Sequence, residues 1–304
     1  MRQRSCVSNG LLQMFLLSCV LWLNPNAKAQ STSADQPAKG ILWEVKSATN
    51  TAYLYGALHI GKADFYPLPA AVDAAYRQAG TLAIEVDPTD PLANATMLPL
   101  LTYAAPDKLQ QHLRPQTWQA LKAFAGPAVE QLQTLRPAML ATTFVMQVFS
   151  AQGYDPQYGI DLHFIQRAKV DRKKLVELES LQFQAGVLGG LSDTEGDAMV
   201  GQILSGMKDG SLQRESTAMI DAWKSGNAEA LATVLRSAAE KDAGSKKIMK
   251  RLFDDRNIGM AQKITHMMDA GDTLFAVVGA GHIVGAGSVT DLLQKQGFAV
   301  RQIK

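Results

Sequence analysis

Behind an apolar start, hydrophobic positions divide the chain into three stretches. From 41 to 86 they form short runs rich in β-formers: 41–46 and 51–55, joined by Ser-Ala-Thr-Asn as in a hairpin, and 81–86. Pro67 and Pro69 open a helix over 70–78, which Gly80 stops. From about 90 to 272 the pattern is mostly helical, with helices over 116–125, 137–151, 160–169, 180–189, 193–207, 211–224, 227–239 and 245–269 and one short strand at 174–178. Asp161, Ser180 and Asp193 stand where N-caps are expected. Strand character returns at 273–278 and 298–303, with a helix over about 287–296 between them that Gly297 closes. The expectation is an α/β fold. Its mixed central sheet comes from N- and C-terminal strand–GxxH–helix–strand units, with a large helical middle insertion.

The two ends share a grammar. Gly56-Ala57-Leu58-His59-Ile60-Gly61 follows one strand, and Gly279-Ala280-Gly281-His282-Ile283-Val284-Gly285 follows another. A loop at the carboxyl end of a parallel strand is where α/β proteins place ligand groups, and glycine there lets backbone approach closely. If the two strands are neighbours, His59 and His282 face one crevice. Glu85 is the third candidate, a carboxylate in the apolar run Leu82-Ala83-Ile84-Glu85-Val86, where it needs a partner or a ligand. Alternation puts Glu85 and Asp87 on one face, with Asp87 before Pro88 reading as a turn residue. Two imidazoles and a carboxylate can hold one divalent metal, Mn, Co or Zn, and leave a position open for water. The strand at 298–303 offers no acid, which argues against a matched two-metal site. No His-Glu-x-x-His, Gly-x-Ser-x-Gly, Walker A or dinucleotide fingerprint is present.

The first 29 residues change the bookkeeping. Arg2 and Arg4 precede an apolar run over 11–23, followed by Asn-Pro-Asn and Ala27-Lys28-Ala29: the layout of a signal peptide cleaved after Ala29. The run is shorter than the roughly 20 residues of a spanning helix, so no stable membrane anchor is expected after cleavage. Cys19 lies inside the apolar region, which disfavours a lipoprotein site. Removing Arg2, Arg4 and Lys28, with no acid lost, takes the formal charge from +2 to −1 and leaves no basic cluster for nucleic acid. Both cysteines, Cys6 and Cys19, go with the leader, so the mature chain has neither disulfide nor thiol chemistry. Residues 30–39 read as a disordered leader and 40–304 as a single domain. Destination is periplasmic or secreted.

The Tyr-Leu-Tyr-Gly-x-x-His strand, Ile-Glu-Val-Asp, Val-Gly-Ala-Gly-His-Ile-x-Gly and the closing Leu-Leu-Gln-Lys-Gln-Gly-Phe-x-Val resemble the TraB/GumN family, over about residues 40–304. That family is related to the Tiki metalloproteases and, more distantly, to erythromycin-esterase and ChaN-like proteins. The resemblance implies a metal-dependent hydrolase fold, with His59, Glu85 and His282 as metal and catalytic positions and Arg256 and Asn257 as a polar pair completing the site. Arg256 reads either as a clamp for a substrate carboxylate or oxyanion, or as an ion-pair partner of Asp254, Asp255 or Glu85. Glu179 matches a family position and also reads as a plain strand-end or cap carboxylate. His112, His163 and His266 read as surface or packing residues. Two function classes follow. One is an exported peptidase or amidase acting on a peptide or protein, with Glu85 as ligand or general base. The other is a non-catalytic binding protein holding a peptide, a metal or a haem-like ligand.

Overall fold

The computed structural model describes residues 39–240 and 243–304. The signal-peptide reading and all of the leader but Lys39 lie outside them. Lys39 itself donates its backbone N–H to Lys224 O. No helix among the described residues is long and apolar enough to cross a membrane.

Six strands form one sheet: β1 (Leu42–Lys46), β2 (Thr51–Ala57), β3 (Thr81–Ile84), β4 (Lys174–Glu177), β5 (Leu274–Gly279) and β6 (Ala299–Ile303). Their order is β4-β3-β5-β2-β1-β6. β4, β3, β5 and β2 pair in parallel, and β1 runs antiparallel to both β2 and β6. β5, at the centre, is apolar at consecutive positions because both its faces are covered. The hairpin between β1 and β2 is closed by Ser47, whose hydroxyl accepts from Asn50 N–H. Asn50 then donates its amide to Met268 O and Asp272 O, tying the hairpin to the approach of β5.

The helices are α1 (Ala70–Gln78), α2 (Pro91–Leu101), α3 (Pro115–Ala125), α4 (Pro137–Ala151), α5 (Ile160–Asp171), α6 (Leu181–Gly189), α7 (Asp193–Asp209), α8 (Ser211–Lys224), α9 (Ala228–Ala239), α10 (Ala243–Met249), α11 (Asp255–Asp269) and α12 (Val289–Lys295). Aromatic rings pack the sheet core: Phe164 lies 4.8 Å from Phe275 and 5.4 Å from Tyr76 between ring centroids. A second apolar cluster, including Leu109, Trp118, Leu121, Leu132 and Val200, fills the helical middle. Helix α4 joins the two, with Met139, Leu140 and Phe144 in the second cluster and Phe149 in the first.

Several expectations are corrected. The helix expected over 245–269 is interrupted by a π-turn at Lys250–Asp254. Helix α2, absent from the sequence reading, packs against α6 so closely that a Cβ on Gly189 would lie 2.2 Å from Leu100 O. Ser180 does cap α6. Asp161 and Asp193 are not caps: Gly159 precedes α5, and Ser192 caps α7 in a box with Glu195. Asp193 instead meets His112.

That histidine stacks on Tyr103, with ring centroids 4.2 Å apart, and bonds Asp193 through Nδ1 (2.8 Å) and Asp107 through Nε2 (2.9 Å). Burial disfavours its charge, but the two carboxylates outweigh burial and raise its pKa. A raised native pKa gives stabilisation that is complete below the unfolded value of about 6.5 and is lost as pH rises through the native one. His112→Asn should therefore lower the thermal midpoint most near about pH 6, and the gap to wild type should narrow toward about pH 9. Thermal melts at both pH values check this.

Candidate functional site

Four adjacent strand ends each deliver one side chain. Glu179 follows β4, Glu85 follows β3, His282 follows β5 and His59 follows β2. β2 and its parallel neighbour β5 send their following connections to opposite sides, to β3 and to β6, which makes this edge a topological switch point. Pairing of β3 with β4 continues beyond the strands through Glu179 N–H to Glu85 O (2.8 Å), so the two acids leave the sheet together. The two Gly-x-x-His segments are offset. Gly56 pairs with Val278 and Ala57 with Gly279, so the two motif glycines face opposite sides of the sheet. Gly56 makes room for Ala280, whereas Gly279 forms the floor of the site. A Cβ on Gly279 would lie 3.1 Å from Glu85 Oε1, 3.4 Å from His59 Nε2 and 3.4 Å from His282 Cδ2.

Each ring is fixed from behind. His282 is 4 % exposed, and its Nδ1 lies 2.6 Å from Asn257 Oδ1. Asn257 spends its amide N–H on Gly287 O, so its oxygen accepts and His282 Nδ1 carries the proton. His282 Nε2 then presents a lone pair 3.8 Å from Glu85 Oε1. Burial keeps this ring neutral, with a pKa of about 4, against the pull of Glu85. His59 donates Nδ1–H to Asp161 Oδ2 at 3.0 Å, which likewise aims Nε2 inward. Crowding by the crevice walls disfavours its charge, and Asp161 outweighs that, so the pKa lies above the usual histidine value even with 60 % of the side chain open to water.

Glu85 is buried, and burial alone would raise its carboxyl pKa. His282, His59, Arg256 and the Gly279 N–H together hold it at about 2. Arg256 donates Nη2–H to Glu85 Oε2 (2.7 Å) and to Glu179 Oε2 (2.6 Å), and Nε–H to Glu179 Oε1 (3.0 Å). Its Nη1 reaches Leu252 O within the π-turn. Of the two readings of Arg256, the ion pair with Glu85 is the one present; Asp254 and Asp255 are not its partners. Phe253 of the same turn packs on His282, with ring centroids 5.0 Å apart.

His59, Glu85, His282, Arg256 and Asn257 thus lie together at this sheet edge. Asp87 does not join them: it accepts from Thr89 and pairs with Lys169. Asp161 and Gln184 belong to the site and were not foreseen. Asp161 had the signal of a cap position, and Gln184, one turn into α6, had none. His163 packs against Tyr66, in line with a packing role.

The donor chemistry suits a divalent cation. The Nε2 lone pair of His282, the Nε2 of His59 once it gives up its proton, and one carboxylate oxygen surround a residue without a side chain, and each ring has the fixed outer partner that metal-bound histidines usually have. Three carboxylates (Glu85, Glu179, Asp161) against one guanidinium leave two negative charges when both rings are neutral. Among the described residues, however, no group of three or more His, Cys, Asp or Glu side chains is arranged to hold a metal as it stands.

A sheet of this topology, with paired Gly-x-x-His loops at its carboxyl edge, defines a class, and comparison with known proteins supplies its name. The TraB/PrgY/gumN family model matches residues 41–302, and the chain belongs to that family. The uncharacterized protein YbaP of Escherichia coli (strain K12) is 25 % identical over 252 residues, covering 80 % of this chain and 87 % of YbaP. YbaP of Shigella flexneri is 25 % identical over 253 residues, covering 80 % and 88 %. No solved structure matches the chain.

Gly279 has φ −49° and ψ 134°, values alanine also adopts. Backbone conformation therefore does not oppose Gly279→Ala, and Glu85 Oε1 has to give by only a few tenths of an ångström. If the three donors hold an ion here, added Mn²⁺, Co²⁺ or Zn²⁺ should raise the thermal midpoint of wild type and not that of Gly279→Ala, because the methyl group fills the space between them. A metal-dependent thermal shift equal to wild type would count against convergence at this point.

Proposed function

We propose that this protein is an exported, metal-dependent hydrolase of the peptidase or amidase class, using a single ion. The observation that carries the reading is the convergence of His59 Nε2, His282 and Glu85 Oε1 over Gly279, with each ring fixed from behind. His59, His282 and Glu85 would hold the ion. When bound, a divalent ion (Mn, Co or Zn) supplies Lewis acidity toward water and a carbonyl. Arg256 keeps Glu85 ionised and fixed. Asn257 holds His282 in the tautomer whose lone pair faces the site, and Asp161 does the same for His59. The exposure of His59 leaves the crevice open on that side, the approach for a peptide carbonyl. Sequence favours export, and the leader carries that part of the reading.

A second reading has one observation in its favour. His59 leaves the crevice open to water, which suits a binding protein that holds a peptide, a metal or a haem-like ligand there without turnover.

The experiment measures bound metal in wild type and in His59→Ala, Glu85→Ala and His282→Ala, then screens quenched peptides with Mn²⁺, Co²⁺ or Zn²⁺. One ion in wild type, metal loss in all three variants and parallel loss of cleavage is the expected result. Metal without cleavage across a broad peptide library turns the assignment to the binder. Equal metal content in all four proteins sinks the metal reading. Export is checked separately: the mature protein recovered from a periplasmic or culture fraction should begin at Gln30.

A further inference from the structure

Glu85 is the member of the site whose role the convergence alone leaves open, as ligand or as proton acceptor. Its surroundings decide. A carboxylate offers about four lone-pair positions. Oε2 uses both of its own, accepting from Arg256 Nη2 at 2.7 Å and from Gln184 Nε2 at 2.9 Å. Oε1 accepts from the Gly279 backbone at 2.6 Å and keeps one position, on the side of His282 Nε2.

Glu179 completes the enclosure. It accepts from two N–H groups of Arg256, Nε–H shared between both oxygens and Nη2–H, and from Gln184 Nε2 at 2.9 Å. The Gln184 amide nitrogen therefore stands between two carboxylates, and its orientation is forced, since the amide oxygen there would face two acceptors. Glu179 and Arg256 are 5 % and 12 % exposed. A guanidinium and an amide occupy the space between the two acids, where a second cation would otherwise sit.

We infer that Gln184 and Glu179 are positioning residues. Acting directly and through Arg256, they tie up Oε2 and present Glu85 Oε1 as a one-oxygen donor beside the two histidines. On this account Glu85 is a ligand and not the proton acceptor, and the site takes one ion. The inference rests on the metal reading above and adds residues and a role to it. Neither residue contacts the reacting atoms, and Gln184 lies on a different helix from every other side chain of the site.

The test uses the full mature chain with Co²⁺ as probe, read by titration and by visible absorption, with circular dichroism to confirm folding. Wild type should bind one equivalent. Gln184→Leu and Glu179→Gln should remain folded and weaken Co²⁺ binding by about ten-fold or more, the usual effect of losing an outer partner of a metal ligand. Gln184→Leu should also shift the Co²⁺ spectrum, because Oε2 then keeps only its Arg256 bond and regains one lone pair that can coordinate. Glu85→Gln should lose Co²⁺ affinity. Wild-type affinity and spectrum in both Gln184→Leu and Glu179→Gln overturn the positioning role. Wild-type affinity in Glu85→Gln makes Glu85 the proton acceptor and overturns the ligand assignment. Absence of Co²⁺ binding by wild type overturns the metal reading itself, and this inference with it, a result distinct from the other two. If Gln184→Leu fails to fold, Gln184→Met, which keeps the side-chain length and volume and removes the donor without adding charge, is expected to give the same loss of affinity.

Discussion

One guanidinium makes this sheet edge possible. Two carboxylates end up buried side by side because β3 and β4 pair in parallel and run on together past their ends. Isolated charges at that depth are costly, and removing one member of such a pair typically destabilises by about 3–5 kcal/mol. Arg256 reaches both acids from α11, and the helix is built to let it. The π-turn at Lys250–Asp254 interrupts the regular ladder, and Leu252 O accepts from Arg256 Nη1. The same turn carries Phe253 onto His282, and the residue after Arg256, Asn257, fixes that ring's tautomer. A departure from regular helix thus aims three side chains at one place, in keeping with the tendency of π-turns to mark functional sites.

The two histidines have alike sequence surroundings and unlike environments. His282 is buried, neutral and held by an amide, whereas His59 is open to water and held by a carboxylate. The offset between Gly56 and Gly279 underlies the difference. One motif glycine supports packing of the 280–283 turn, and the other leaves the site its empty centre. The resemblance between the two loops is one of donor type and strand-end position, without local symmetry.

Much of this was legible in the chain. Strand boundaries followed apolar runs, helix 70–78 followed Pro69 and Gly80, and the polar exception Glu85 in an apolar run marked itself. The remainder depended on tertiary contacts. Helix α2 begins at Pro91 and contains Pro99, so local pattern argued against it, and packing on α6 overrides that. The π-turn has no periodic signature within seven turns of apolar spacing. Asp161 looked like a cap because carboxylates favour first turns; that it serves His59, 102 residues earlier, could not be read from spacing. Gln184 carries no sequence signal, since an amide in the first turn of a helix is ordinary until two acids from other elements arrive beside it.

The place of β5 has a consequence for how the molecule comes into being. β2 and β3 are both early in the chain, yet they never touch as strands, because β5 lies between them and pairs with each. The early strands cannot close a sheet on their own. The central strand is supplied within the last thirty-one residues, and with it His282 and the Gly279 floor. Sheet and site are therefore finished in one late event of high contact order, the kind that folds slowly.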